Sequence, residues 1–203
     1  SEGAFGKTFA RYWLHNGMIT MNGEKMSKSL GNVVNIADLV KKYDPEVIRL
    51  FAFSNHYRSP LDYTEQSMRE AESALDRYYE TLSRICAALA GDGAKSAVYM
   101  ELKEKSETIE QIFRDCMNDD FNTASFIGQV FEWVRLVNRF LDDTKQAPAW
   151  LSVAAQKLSA FSGAVLGIMG SDPKKYFECM QKIRSQKSGV DTAKVEALIA
   201  ERL

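Results

Sequence analysis

Apolar residues in the middle of the chain recur at alternating spacings of three and four. Within residues 64–89 these positions are Met68, Ala71, Leu75, Tyr78, Leu82, Ile85 and Leu89. This spacing places one apolar side chain per turn on a single helix face and is typical of a heptad seam. It predicts a helix of about 39 Å at ~1.5 Å per residue, ended by the glycines that follow.

The same periodicity predicts five further helices. One covers 97–117, one follows a cap at Asn122 or Thr123, and one begins at Pro148. The last two, from Asp172 and at 191–203, are short or weak. We interpret the aromatic stripe of Phe126, Trp133 and Phe140 as core. Several antiparallel helices with short connections indicate a bundle.

The first 62 residues follow a different pattern. Residues 18–21 favour a β-strand, and Asn22-Gly23 supplies the positive φ angles of a two-residue hairpin turn. Residues 24–26 should therefore pair back on residues 18–21. The pattern predicts a mainly α protein: a small α/β part with a β-hairpin, then an antiparallel helical bundle.

Two short helices are expected after the hairpin, capped by Asn35 and Asp44. The first should have one apolar face, formed by Ile36, Leu39, Val40 and Tyr43.

Composition narrows the class of protein. The chain has 203 residues and a formal net charge of −1, so any contact with nucleic acid must come from a local basic patch. Its three cysteines and two histidines show no metal-ligand spacing, and Cys86 and Cys116 are expected to be buried free thiols. No apolar run approaches the ~20 residues of a membrane span. We expect no metal site and no membrane segment, in a reducing, cytoplasmic setting.

The strongest chemical signal is Lys-Met-Ser-Lys-Ser-Leu-Gly-Asn at 25–32. Lys25 and Lys28 offer two ammonium groups, and Ser27 and Ser29 offer two hydroxyls. With exposed backbone N–H groups and a glycine that permits close approach, this set can bind one polyphosphate. A solvated loop without a ligand is the alternative interpretation.

Over almost its whole length the chain resembles the cysteinyl-tRNA synthetases. Residues 25–32 match the signature loop of class I aminoacyl-tRNA synthetases. The other matching strings are Tyr-Trp-Leu-His-Asn-Gly-Met at 12–18, Asp-Pro-Glu at 44–46, His-Tyr-Arg-Ser-Pro-Leu-Asp-Tyr at 56–63 and Asp-Asp-Phe-Asn-Thr at 119–123. The loop occurs in several class I synthetases, whereas the string at 56–63 points to the cysteine enzymes. We know of no mechanism that requires this string, and we expect it to shape the joint between the two parts of the chain.

The resemblance implies ATP-dependent activation of cysteine to cysteinyl-adenylate and its transfer to the tRNA for cysteine. Lys28 would lie closest to the ATP phosphates, with Lys25 in support. The backbone of Met26 would lie near the adenine, while Ser27 and Ser29 would steady loop and phosphate. ATP with Mg²⁺, cysteine and tRNA are the expected ligands of a monomeric enzyme.

The resemblance also divides the chain. Residues 1–62 correspond to the end of the class I catalytic domain with its stem-contact region, and 63–190 to a tRNA-binding bundle of the anticodon-binding type. Residues 191–203 would begin a truncated C-terminal segment. The family's His-x-Gly-His signature and its zinc ligands would lie upstream of Ser1, so this chain is expected to be a piece that is inactive alone.

Two other functions remain open: a cysteine ligase that acts on an amino-sugar in thiol biosynthesis, and a non-catalytic helical tRNA-binding module. Candidate tRNA contacts are Arg58, Arg77 and Arg84, with Arg69, Lys41 and Lys42. An ordinary solvated face explains these charges equally well.

Overall fold

The computed structural model describes residues 2–27 and 31–188. The N-terminal part holds a short helix, a three-stranded sheet and two further helices: α1 (Glu2–Phe5), β1 (Ile19–Met21), β2 (Glu24–Lys25), α2 (Ile36–Lys42), α3 (Pro45–Phe53) and β3 (Leu61–Tyr63). The rest is mostly helical: α4 (Glu65–Ala87), β4 (Leu89–Ala90), α5 (Tyr99–Asn118), α6 (Thr123–Thr144), β5 (Gln146–Ala147), α7 (Ala149–Val165) and α8 (Pro173–Ser188). The predicted fold class is confirmed.

The sheet contains the predicted hairpin and one strand that the sequence pattern does not predict. β1 pairs antiparallel with β2 and parallel with β3, giving the order β2-β1-β3. β3 has only three residues, with the exposed Asp62 between two more buried neighbours and Pro60 just before them. Such a short stretch shows almost no periodicity, so its place in the sheet depends on its distant partner β1.

Two short helices connect this sheet to the bundle. The Asp44 carboxylate accepts a hydrogen bond from the Glu46 N–H at 2.8 Å and caps α3 as predicted. Asn35 stands at the start of α2 without a side-chain capping bond. The predicted apolar face of α2 is wrong in part, because Ile36 and Val40 are exposed and only Leu39 and Tyr43 of that face pack against the core.

The first bundle helix, α4, follows its heptad seam closely. The seam residues through Ile85 are all buried, and the Thr64 side chain forms a reciprocal capping box with Ser67. Leu89, predicted to end the seam, is 71% exposed. The chain has left the helix there and pairs in β4 with β5, which runs parallel to it after α6.

α6 lies at the centre of the core. Its aromatic stripe, Phe126, Trp133 and Phe140, is fully buried, which confirms the interpretation of these residues as core. The Trp133 indole N–H donates to the Ser106 hydroxyl on α5 at 2.9 Å, so the one polar atom of this buried side chain has a partner. The helices α4 and α5 pack on α6, and α7 contacts it through the rings of Phe161 and Phe126, whose centroids are 6.0 Å apart.

The structure corrects two further expectations. The helix after Asp172 is not short: α8 runs for 16 residues, and its Tyr176 and Met180 are buried. Cys86 is exposed and Cys116 is only half-buried, so neither is the buried thiol that was expected. Cys86 follows the seam residue Ile85 directly and therefore points off the apolar face. The predicted helix at 191–203 lies outside the described residues.

Candidate functional site

The hairpin gives the lysine loop a defined starting point. Thr20 pairs with Lys25 and Met21 with Glu24, so the turn between them has two residues. Asn22 and Gly23 adopt φ angles of 52° and 79°, the left-handed conformations that such a turn requires. Lys25, at the end of β2, is exposed.

Asn32 fastens the two ends of the loop to each other. Its amide oxygen accepts a hydrogen bond from the Ser27 N–H at 2.8 Å, and its amide nitrogen donates to the Lys25 carbonyl at 3.3 Å. One side chain thereby satisfies a donor and an acceptor on the strand side of the loop. The sequence pattern assigned no role to Asn32, although asparagine side chains commonly hydrogen-bond nearby backbone groups in turns.

The structure describes three of the five predicted loop residues. Lys25 is exposed, and Met26 and Ser27 are half-buried. Lys28 and Ser29 lie outside the described residues. The described part of the loop therefore presents an ammonium group next to a braced backbone, which suits an anionic ligand.

Asp62 of β3 binds the hairpin turn. A single carboxylate oxygen, Oδ1, accepts hydrogen bonds from the Thr20 hydroxyl at 2.6 Å and from the Gly23 N–H at 2.8 Å. These donors, the Thr20 hydroxyl first, stabilise the charged form and hold the pKa of Asp62 below its ordinary value. The negative charge that holds the turn therefore comes from a residue 42 positions after Thr20 in the sequence.

The backbone of residues 57–61 forms hydrogen bonds with the residues just before β1. The Gly17 N–H donates to the Tyr57 carbonyl at 2.7 Å, and the Leu61 N–H donates to the Met18 carbonyl at 3.0 Å. A Cβ at Gly17 would lie 2.1 Å from the Ser59 carbonyl oxygen, so only glycine fits there.

The other end of this segment reaches the bundle at Asp120, between α5 and α6. The Tyr57 hydroxyl donates to Asp120 Oδ1 at 2.7 Å, and Arg58 Nε lies 2.7 Å from Asp120 Oδ2. The Tyr57 hydroxyl first, and then Arg58, hold the pKa of Asp120 below its ordinary value. Residues 56–63 therefore do form the joint between the sheet and the bundle, as expected from the sequence.

The candidate tRNA-contact arginines occupy different surroundings. Arg58 is exposed but paired with Asp120. Arg84 spans from α4 to α6, where it contacts Asn138 and forms an ion pair with Asp142 at 2.5 Å. Arg77 is exposed on α4. Arg58 and Arg84 therefore already take part in contacts within the chain.

The weaker candidates are also engaged in local contacts. Lys41 pairs with Asp38 at 2.8 Å on the same helix, and Lys42 lies 3.8 Å from a carboxylate oxygen of Glu65. Arg69 donates to the side chain of Gln66 at 3.0 Å.

Nowhere in residues 2–27 and 31–188 do three His, Cys, Asp or Glu side chains gather so that they could hold a metal ion. In the same residues, no helix combines the length and the apolar character needed to cross a membrane.

Comparison with known proteins gives two family matches. Residues 1–73 match the family model for the tRNA synthetases class I (C) catalytic domain, and residues 112–170 match the DALR domain. The signature loop at 25–32 lies within the first matched region, whose model describes class I tRNA synthetases.

Within that class the chain is similar along its entire length to cysteine–tRNA ligases. It is 43% identical over 203 residues to that of Geobacter sulfurreducens and 43% identical over 207 residues to that of Geobacter metallireducens. It is 42% identical over 209 residues to that of Nitratidesulfovibrio vulgaris strain Miyazaki F. Each match covers 100% of this chain but only 42% or 43% of the relative's own length. The resemblance to cysteinyl-tRNA synthetases is confirmed.

Proposed function

We propose that the protein to which this chain belongs is a cysteine–tRNA ligase, which activates cysteine with ATP and transfers the cysteinyl group to tRNA. The observation that carries the proposal is a class I signature loop, braced by Asn32 on a hairpin, in a chain similar throughout to cysteine–tRNA ligases. The DALR match within the bundle supports tRNA, and not an amino-sugar, as the acceptor.

The chemistry proposed for the loop is stabilisation of the departing pyrophosphate. A carboxylate oxygen of cysteine attacks the α-phosphorus of ATP, and the bond from that phosphorus to the bridging oxygen breaks. Negative charge then grows on the pyrophosphate. Lys28, supported by Lys25, binds this charge more tightly in the transition state than in the ground state, which raises the rate. The exposure of Lys25 at the end of β2 supports this role.

The remaining loop residues are proposed to hold the nucleotide. The Met26 backbone lies near the adenine, and Ser27 and Ser29 steady the loop and the phosphates. Fixing the loop before the reaction lowers the entropy cost of aligning these groups with ATP. The Asn32 bonds to the Lys25 and Ser27 backbone support such a preorganised loop.

We propose that the bundle contributes to tRNA binding through Arg77, with Arg58 and Arg84 as further contacts. Arg77 is exposed on α4, so a phosphate can approach it directly. A phosphate at Arg58 or Arg84 must instead share the guanidinium with Asp120 or Asp142.

The proposal includes Mg²⁺ bound with ATP, and zinc held by a part of the enzyme other than the residues described. The described residues do not fit a zinc site, so no step of the reaction is assigned to zinc in this chain. The enzyme is proposed to act as a monomer in the cytoplasm.

Cysteine-dependent exchange between ATP and pyrophosphate tests the activity. The full-length protein should catalyse it, whereas the 203-residue chain alone should not, because its sequence contains no His-x-Gly-His signature, which the family implies for the other half of the ATP site. Robust exchange by the chain alone would show that the nucleotide site is misplaced.

The acceptor decides between the two ligase functions. With preformed adenylate, the full-length protein should transfer cysteine to tRNA and not to an amino-sugar. Transfer to the amino-sugar alone would replace the tRNA ligase with the thiol-biosynthesis ligase, and absence of any adenylate would favour a non-catalytic tRNA-binding module.

A further inference from the structure

The chemistry proposed for the lysine loop assigns no role to the string at 56–63. Its last part, β3, lies on the opposite side of β1 from β2 and so does not contact β2 directly. The Asp62 side chain reaches the β1–β2 hairpin, where Oδ1 accepts hydrogen bonds from the Thr20 hydroxyl on β1 and the Gly23 N–H in the turn. This exposed carboxylate therefore links the string to the hairpin through one donor on β1 and one donor in the turn.

The Asp62 bonds act close to the loop. Gly23 is the second turn residue, and β2 after it consists of only Glu24 and Lys25. A strand of two residues has few ladder bonds of its own, so its direction depends strongly on how the turn is held. The Asn22 N–H adds one bond to the Tyr63 carbonyl at 3.3 Å.

β3 is itself a firm support. Its start is bonded to the Met18 carbonyl, and the residues before it are fastened to Asp120 in the bundle through Tyr57 and Arg58. Immediately after β3, Thr64 caps the long helix α4. Asp62 thus transmits the position of the bundle to the turn from which the signature loop departs.

On this geometry we propose that Asp62 is a positioning residue for the signature loop: it sets the direction of β2 and hence the place of Lys25 and the residues that follow. It does not touch ATP. The proposal rests on the proposed adenylate chemistry, and it gives the string at 56–63 a role in the first step of the reaction.

The test compares variants of the full-length protein in single-turnover adenylate formation at saturating ATP and cysteine. Asp62→Ala removes both acceptor bonds and should lower the rate about 10- to 100-fold, the scale of a misplacement near 1 Å. Asp62→Asn keeps an acceptor oxygen for both donors and should restore most of the rate. Thr20→Val removes one bond with little change of shape and should fall between them.

Asp38→Ala is the matched control, because Asp38 is another exposed aspartate of the N-terminal part and its side chain pairs with Lys41 on its own helix. It should leave the rate unchanged. Hydrogen exchange of the Gly23 amide gives a readout independent of activity: exchange should become faster in Asp62→Ala and stay slow in Asp62→Asn and Asp38→Ala. Binding of tRNA should not differ among these variants.

The outcomes separate the two proposals. If the parent is active and Asp62→Ala forms adenylate at the parent rate, the positioning role is overturned while the proposed function stands. If Asp62→Asn is as slow as Asp62→Ala although its Gly23 amide stays protected, the carboxylate acts by its charge and the positioning role also fails. A full-length parent without cysteine-dependent exchange overturns the proposed function itself.

Discussion

Glu46 on α3 accepts a hydrogen bond from the Tyr79 hydroxyl on α4 at 2.7 Å, and this bond joins the N-terminal part to the bundle. The same carboxylate oxygen accepts the Met169 N–H, and the Tyr79 oxygen accepts the Ser171 N–H at 3.1 Å. Burial raises the pKa of Glu46 above its ordinary value, despite the donors that favour the charged form. Three segments therefore meet at one carboxylate that loses hydration when the chain folds.

This carboxylate predicts a pH dependence of stability. Between the ordinary pKa and the raised pKa of Glu46, the folded chain binds more protons than the unfolded chain. Its contribution to stability is therefore present below the ordinary pKa and is lost as pH rises through the raised pKa. Glu46→Gln keeps an acceptor oxygen but has no charge, so its free energy of unfolding relative to the parent should increase with pH over that window.

Urea unfolding of the full-length protein at several pH values measures this difference. The control is Glu178→Gln, which changes an exposed glutamate on α8 and should stay close to the parent in stability. A constant difference for Glu46→Gln would mean that the pKa of Glu46 is the same in both states.

The charge of Asp120 at the joint predicts a pH dependence of stability that is opposite in sign to that of Glu46. Because Tyr57 and Arg58 lower the pKa of Asp120, its contribution to stability is present above the ordinary pKa and is lost as pH falls. Asp120→Asn retains a residue type that tolerates the φ of 52° at this position. It should lower the melting temperature by no more than about 3 °C at neutral pH, since exposed ion pairs contribute little.

Thermal unfolding at neutral and acidic pH checks this expectation. The neighbouring Asp119→Asn serves as the control and should change the melting temperature less. If the melting temperature of Asp120→Asn lies as far below that of the parent in acid as at neutral pH, the lost charge is not the cause of the difference.

The two loop lysines should differ in their effect on adenylate formation. In the full-length protein, Lys28→Ala should lower the rate by roughly 100- to 1,000-fold, or about 2.7–4 kcal/mol, because it removes a donor to the transition state. Cysteine binding should be much less affected. Lys25→Ala should cost less if Lys25 only supports the loop.

Single-turnover kinetics with separate measurement of cysteine affinity distinguishes these effects. A Lys28→Ala variant that activates cysteine at nearly the parent rate would refute the assignment, and a larger loss at Lys25 would reverse the two roles.

Substitution of the two arginines on α4 should distinguish an effect on tRNA binding from an effect on the stability of the bundle. Arg77→Gln should weaken tRNA binding and reduce its salt dependence by about one unit of slope, with little change in melting temperature. Arg84→Gln should also lower the melting temperature, because it removes the contacts with Asn138 and Asp142. The double variant should lose up to about two units of slope while ATP–pyrophosphate exchange is unchanged.

Filter binding over a series of salt concentrations measures the slope, and thermal unfolding measures stability. If affinity and slope of both variants equal those of the parent, the arginines belong to an ordinary solvated face.

The parts of the fold that the sequence predicts best are those whose pattern is local. The seam of α4 and the apolar face of α6 repeat over five or more turns, and burial follows them almost residue by residue. The hairpin is equally local, because Asn22 and Gly23 determine the turn. β3 and the β4–β5 pair are different: each strand has two or three residues and depends on a partner far along the chain.

The candidate site likewise has one part that the sequence predicts and another that it does not. The lysines and serines of the loop are recognisable because they stand in one contiguous string. Asp62 reaches Thr20 across 42 positions, and Tyr57 reaches Asp120 across 63, and neither contact leaves a periodic trace in the sequence. Both pairs are polar and exposed, so an apolar pattern does not reveal them.

The parallel pairing of β1 with β3 has a consequence for the order in which the chain folds. The β1–β2 hairpin closes over a few residues, whereas the Thr20–Asp62 contact closes a loop of 42. Loop-closure entropy delays contacts of long sequence separation relative to local ones. We therefore expect the hairpin to form early as an unsupported ribbon, and the stem of the lysine loop to become rigid only when the residues that lead into α4 dock against it.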